Sequence, residues 1–245
     1  MFKIKNLFGQ LTLLAVAAVV LPSGQIISVP QQAIDHSPAL ESVTFIHYRD
    51  GSAKPGSSIK TPTLTCYGFI SKGTKLTSIE NLSINPANSG MLEADVLNQT
   101  MISAAEWDNN TSKTIWGNFN VDYSANFDSV ADGINEISFG PYSDPNVIAV
   151  TRIWGVFSGR SKYIDQFDIL FNTAYQWGDV SATGNVNLMD YMNIATHEIG
   201  HGVGLSDLYN ACSDETMYGY SGNGETKKRN LNPGDIKGLQ TLYGI

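Results

Sequence analysis

Thr196-His197-Glu198-Ile199-Gly200-His201-Gly202-Val203-Gly204-Leu205-Ser206-Asp207 is the stretch on which the reading of this chain turns. His197 and His201 are four residues apart, which on a helix puts both imidazoles on one face, within reach of one ion. Glu198 adjoins the first of them, where its carboxylate can touch a metal-bound water without being a ligand. Gly204 can take the left-handed conformation that ends a helix, so that the chain turns back. Asp207 then arrives to offer a carboxylate oxygen from the far side of the turn. Two imidazoles and one acid leave a fourth position for water, as catalytic zinc requires. The opposing reading is a solvated helix with two unrelated histidines. Histidine usage counts against it: the chain has four, and the other two, His36 and His47, lie in a different part of it, before residue 66.

Working outward, residues 188–204 read as the helix that carries this motif. A last helix begins at Asn232, a good N-cap, with Pro233 at the first helical position and Asp235 placed to favour the helix dipole. Upstream, residues 91–107 read as an amphipathic helix, with Leu92, Val96, Met101, Ala104 and Ala105 near helical spacing. Short strand-like runs fall at 81–85, 119–123, 136–139, 147–154 and 164–171. Helix, strands, helix, irregular segment, helix is the order of an α+β or mixed sandwich.

The 245 residues suit one main domain with extensions, and 42% hydrophobic content suffices for a sizeable core. With 23 acidic against 15 basic residues and one short basic run, Lys227-Lys228-Arg229, nucleic acid is not an expected partner. Residues 1–24 have the layout of a secretory signal peptide: Lys3 and Lys5, an apolar stretch from Leu11 to Leu21, then Pro22-Ser23-Gly24. That stretch is too short to span a bilayer, so no membrane span is expected once the signal is removed. Residues 25–65, rich in Pro, Gly and Ser with one apolar island at 43–48, read as a pro-segment or linker. The packed domain is expected over 66–245. Two cysteines, Cys66 and Cys212, favour a disulfide in an exported chain, ahead of two free thiols and, last, a thiol switch.

His197 to Asp207 resembles the elongated zinc motif of the metzincins, with Asp where most members have a third His. Asp in that place is seen in snapalysin-like enzymes and in matrixin-like prokaryotic peptidases. Glu215-Thr216-Met217-Tyr218-Gly219-Tyr220 looks like the Met-turn of these enzymes, which implies that Met217 lies beneath the zinc. The ending, from Leu231-Asn232-Pro233-Gly234-Asp235 to Leu242-Tyr243-Gly244, is similar to the C-terminal helix of matrixin catalytic domains. Val147-Ile148-Ala149-Val150 looks like the family's edge strand, which implies that Ile148, Ala149 and Val150 pair with an extended substrate. Tyr218 and Tyr220 are candidates for the wall of the adjoining pocket, with ordinary packing as the alternative. The resemblance implies a metzincin, or zincin-like, fold: a twisted, mostly parallel five-stranded sheet with two helices packed on it and a third in a C-terminal subdomain.

Several departures limit the resemblance. No histidines precede the active-site helix in the packed domain, so a second, structural zinc is not expected. Calcium near Asp165 and Asp168 is conceivable, though two acids in a strand are more often surface residues. Cys66 lies in Leu64-Thr65-Cys66-Tyr67-Gly68, which does not match the Pro-Arg-Cys-Gly stretch of matrixin zymogens. Gly219 stands where serralysins and astacins carry a tyrosine ligand. The resemblance implies a secreted, monomeric zinc endopeptidase acting on polypeptides, with one Zn(2+) on His197, His201 and Asp207 and with Glu198 as general base. The alternatives are an exported zinc-binding protein without turnover and a zinc hydrolase of a non-peptide amide.

Overall fold

A computed structural model describes residues 16–20, 26–30, 39–52, 65–209 and 211–245. The chain divides into two compact units, Met1–Ala39 and Leu40–Ile245. In the first, β1 (Val16–Val20) and β2 (Ile26–Pro30) form an antiparallel hairpin with Val16 opposite Pro30. Apart from Val16–Val20, the expected signal peptide lies outside the described residues. Among the described residues no helix is long and apolar enough to cross a membrane.

The second unit is built on one sheet. Its strands in chain order are β3 (Glu41–Arg49), β4 (Glu80–Ile84), β5 (Trp116–Val121), β6 (Asn135–Gly140), β7 (Val147–Val156) and β8 (Tyr163–Asn172). The two-residue β9 (Trp177–Gly178) and β10 (Met189–Asp190) pair with each other, and β11 (Tyr220–Ser221) joins the main sheet. The spatial order is β11-β3-β7-β8-β6-β4-β5. The neighbours of β4, β6 and β8 on the β5 side are parallel, as is β11 to β3, while β7 runs antiparallel to both β3 and β8. The fold is thus the expected α+β arrangement around a mostly parallel sheet. The strand count differs: the sheet has seven strands because β3 and β11 extend it.

Helix α1 (Glu93–Asp108) lies close to the expected 91–107 and buries Val96, Ala104 and Trp107. A short α2 (Val180–Thr183) precedes α3 (Tyr191–Gly202), which carries the histidine motif, and α4 (Pro233–Tyr243) ends the chain. A 3-10 turn spans Lys227–Arg229. Helix α3 is buried almost throughout, unlike an ordinary surface helix, because it is held between the sheet and α1. Trp107 of α1 donates its indole N–H to the carbonyl of Thr196 at 2.9 Å, fixing the two helices in register. An aromatic cluster of Phe139, Phe171, Trp177 and Tyr191 fills the space between β6, β8 and the start of α3. Asp190 caps α3 through the N–H of Asn193.

Strand β3 comes from the stretch read as pro-segment or linker, and its alternation explains its place. Val43, Phe45 and His47 share one face, and Thr44, Ile46 and Tyr48 share the other. It pairs along β7 from Glu41 opposite Gly155 to Tyr48 opposite Val147. Ile148, Ala149 and Val150, expected to lie on an edge strand that pairs with substrate, thus have β3 on the side where substrate would lie. Both sides of β7 are taken, by β3 and β8, because the apolar island at 43–48 is itself a strand.

Candidate metal centre

Helix α3 places His197 and His201 one turn apart, as the spacing requires, with ring centroids 4.9 Å apart. Gly204, at φ +106°, then reverses the chain, and a Cβ there would sit 2.5 Å from the carbonyl oxygen of Thr74. The reversal brings Asp207 back over the helix. Its Oδ1 lies 3.2 Å from His197 Nε2 and 3.4 Å from His201 Nε2. None of these three atoms has a hydrogen-bond partner, although all are buried. Three unpartnered buried donor atoms facing one point are costly unless something binds them. Two imidazole nitrogens and one carboxylate oxygen are a donor set suited to zinc.

The other side of each ring explains why those nitrogens face inward. His197 Nδ1 donates to the Thr216 carbonyl at 2.7 Å, and His201 Nδ1 to the Leu205 carbonyl at 3.0 Å. Each bond fixes the tautomer that leaves the Nε2 lone pair free. Asp207 is steadied in turn by Tyr209, whose hydroxyl donates to Oδ2 at 3.0 Å. Burial alone would raise the Asp207 carboxyl, but the facing His201 and His197 hold it well below the usual carboxylate range. The same pairing raises His201 against the lowering effect of its burial.

Glu198 is fully buried, and both of its oxygens are engaged. Thr151 Oγ1 of β7 donates to Oε2 at 2.5 Å, and His47 Nδ1 of β3 lies 3.0 Å from Oε1. Burial first, then the nearby His197 and Lys228, lower His47 to about 3, so its ring is neutral and the contact is a hydrogen bond rather than an ion pair. The His47 ring also lies 4.0 Å from that of His197, and Phe45 stacks on His201 at 4.0 Å. Hence His47, set apart by sequence in the pre-segment, is brought to the centre. A cleft runs along this strand, lined by Phe45, Ile46, Tyr48, Ser206, Asp207 and Tyr209.

Met217 is buried directly beneath the helix: a Cβ added at Gly200 would come within 2.3 Å of its sulfur and 2.6 Å of Trp107. Asp235, at the start of α4, accepts from the N–H groups of Thr216 at 2.7 Å and Met217 at 3.1 Å, and from Asn232 at 3.0 Å. Glu215 accepts in return from Gly234 at 3.0 Å and Asp235 at 3.2 Å. The loop under the histidines and the last helix therefore clamp each other. Sequence reading placed Asp235 at the helix dipole but missed this second task. It also missed Thr151, Tyr209 and His47, whose roles depend on the tertiary fold. Tyr220 belongs to β11 beside β3, and its ring lies 5.2 Å from Tyr209 and 5.8 Å from Tyr218. Cys66 and Cys212 are joined by a disulfide, with Cα atoms 5.5 Å apart.

Asp165 is exposed, whereas Asp168 is fully buried, so the two do not form one site. Asp168 faces Glu136, Asp128 and Asp132 instead; burial, with those neighbours adding, raises Glu136 to about 7 and Asp168 to about 8.

Residues 106–244 match the matrixin (Peptidase M10) family. The chain is 30% identical to Matrilysin of Homo sapiens over 133 residues, which cover 54% of this chain and 43% of that protein. It is 34% identical to Matrilysin of Felis catus over 77 residues, covering 31% of this chain and 27% of that protein. The matched stretches span less than half the length of these relatives. With more than half of its residues in that match, and with the histidine helix and the clamped methionine loop inside it, the chain belongs to the matrixin family.

Proposed function

We propose that this protein is an exported zinc-dependent endopeptidase, with His197, His201 and Asp207 as metal ligands and Glu198 as general base. The observation that carries the reading is the convergence of His197 Nε2, His201 Nε2 and Asp207 Oδ1, buried and unpartnered, one residue from a fully buried carboxylate. Zinc, when bound, supplies Lewis acidity that acidifies a water and polarises a carbonyl. Glu198 Oε1 takes the proton of the attacking water and hands it to the leaving amide nitrogen, giving a carboxylate and an amine. Thr151 holds Oε2 throughout, so the carboxylate keeps its aim. Met217 packs under α3 and limits its movement.

An extended polypeptide would pair with β7 at Ile148, Ala149 and Val150, with Tyr218 and Tyr220 near the far side of the groove. Strand β3 holds that place, antiparallel to β7 and parallel to β11. In this reading residues 25–65 are a pro-segment, the groove opens when β3 leaves, and only then does Oε1 exchange His47 for water. The signal at 1–24 and the disulfide support export. A single zinc and a monomeric state complete the proposal.

The test is hydrolysis of an unstructured protein such as casein, with zinc content measured alongside. Glu198→Ala is expected to lower the rate at least about 100-fold with zinc still bound. A chelator should abolish activity and added zinc restore it. Full activity of Glu198→Ala would refute the general base. Hydrolysis of small amides with none of casein would favour the non-peptide alternative.

A further inference from the structure

Lys228 is an unusual residue to find with its side chain wholly shielded from solvent. Its ammonium has three hydrogens to place. One goes to the Tyr220 carbonyl and one to Glu225 Oε1 at 3.4 Å, and Glu225 is itself held by Ser221 at 2.7 Å and by Asn193 of α3 at 3.3 Å. These partners belong to the wall of the groove. The third faces His47 Nε2 at 3.3 Å, and His47 belongs to the strand that lies in the groove. The imidazole therefore spans a slot with two chemically different ends. Near the metal centre it donates from Nδ1 to Glu198, and at the far end it accepts from Lys228.

We propose that Lys228 is a specificity-determining residue: the slot filled by His47 selects, from any strand that replaces β3, a neutral side chain carrying a hydrogen-bond acceptor at its tip, histidine or glutamine. This deepens the peptidase reading and rests on it. Leucine has the size but leaves a buried ammonium hydrogen without a partner, a mismatch that binding sites reject strongly. Glutamate can accept, but it brings a third carboxylate between Glu198 and Glu225. Lys228 is already neutralised by Glu225, so the slot has little net positive charge to offer it.

The strand already in the groove allows a test in the full chain without any turnover. Amide hydrogen exchange across residues 41–49 reports how firmly the slot holds residue 47. His47→Gln should leave exchange close to that of the parent chain, while His47→Leu and His47→Glu should speed it by about tenfold or more. Lys228→Met alone strands Glu225, so the partner change is the pair Lys228→Met with Glu225→Gln. In that background His47→Leu should exchange more slowly than the chain with His47. Nonapeptides differing only at the residue that enters the slot, given to the Phe45→Ala chain in which β3 is loosened, form the second arm. There kcat/KM is expected to be higher for Gln than for Leu and Glu, and His is expected to bind without turnover, since its Nδ1 would hold Glu198 Oε1 as that of His47 does. Equal exchange for His47→Gln and His47→Leu would overturn the proposal, as would an unchanged order in the Lys228→Met/Glu225→Gln chain or peptides cleaved best with Leu. If no peptide is cleaved but the exchange order holds, the slot preference stands and the peptidase reading falls.

Discussion

Tyr209 does for Asp207 what the two backbone carbonyls do for the histidines: it occupies the oxygen that does not face the centre, leaving the other free. Groups behind a ligand commonly set 10- to 100-fold in metal affinity. Tyr209→Phe is therefore expected to weaken zinc binding by about tenfold in a competition titration with a chromogenic chelator; an unchanged affinity would remove Tyr209 from the site's support. The convergence of the three proposed ligands could be read from sequence because its geometry is local. His197 and His201 are a helical turn apart, and Gly204 dictates the reversal that returns Asp207. Thr151 and His47 could not be read this way. They reach Glu198 from 47 and 151 residues away, and only strand pairing brings them there.

Among the elements, β3 is the one whose place the sequence disguised. Its flanks are rich in Gly, Pro and Ser, and its island of apolar residues is short, so composition favours a linker. What decides instead is period-two alternation: Phe45 and His47 go down to α3, and Ile46 and Tyr48 go to the opposite face, where Tyr48 is buried with Val147 and Val150. Phe45, stacked on His201, is an apolar anchor beside the candidate metal centre. Phe45→Ala should loosen the strand and raise casein hydrolysis by roughly tenfold, because a bulky ring lost from a packed site costs a few kcal/mol. Activity that falls or stays level would mean that β3 completes the active site rather than covering it. Helix α4 was legible from its Asn232-Pro233 start and α3 from the spacing of its histidines; α1 was placed by apolar spacing although Leu92 and Met101 prove exposed. The clamp between Asp235 and the loop of Met217 was not legible, since a helix-capping acid looks the same with or without a second partner.

For the molecule as a whole, the buried acidic group under the sheet sets a pH dependence. The Asp168 carboxyl lies near pH 8 in the folded chain and near 4 when unfolded. Between those values the unfolded chain has lost the proton and the folded chain keeps it, so stability falls as pH rises from about 4 to about 8. Urea unfolding at pH 5 and at pH 8.5, without divalent cations, should show a lower midpoint at the higher pH. Asp168→Asn should flatten that difference, and an equal slope in both chains would refute the assignment. The disulfide acts at the same scale. Cys66 and Cys212 are 146 residues apart, so closing that loop should contribute about 2–5 kcal/mol. Unfolding with and without a reductant measures it directly, and a loss below about 1 kcal/mol would show the cross-link to be incidental.

Cys66 lies on the far side of residues 53–64 from β3, and this position has a consequence for any cut made there. The bridge anchors the chain beyond the cut and nothing ahead of it, so the severed strand is bound only by its own contacts. While continuous with the rest, such a segment competes at an effective concentration on the order of millimolar. Once severed it is diluted to whatever the surroundings allow. A single nick would thus convert a local equilibrium into a near one-way departure, driven by dilution alone.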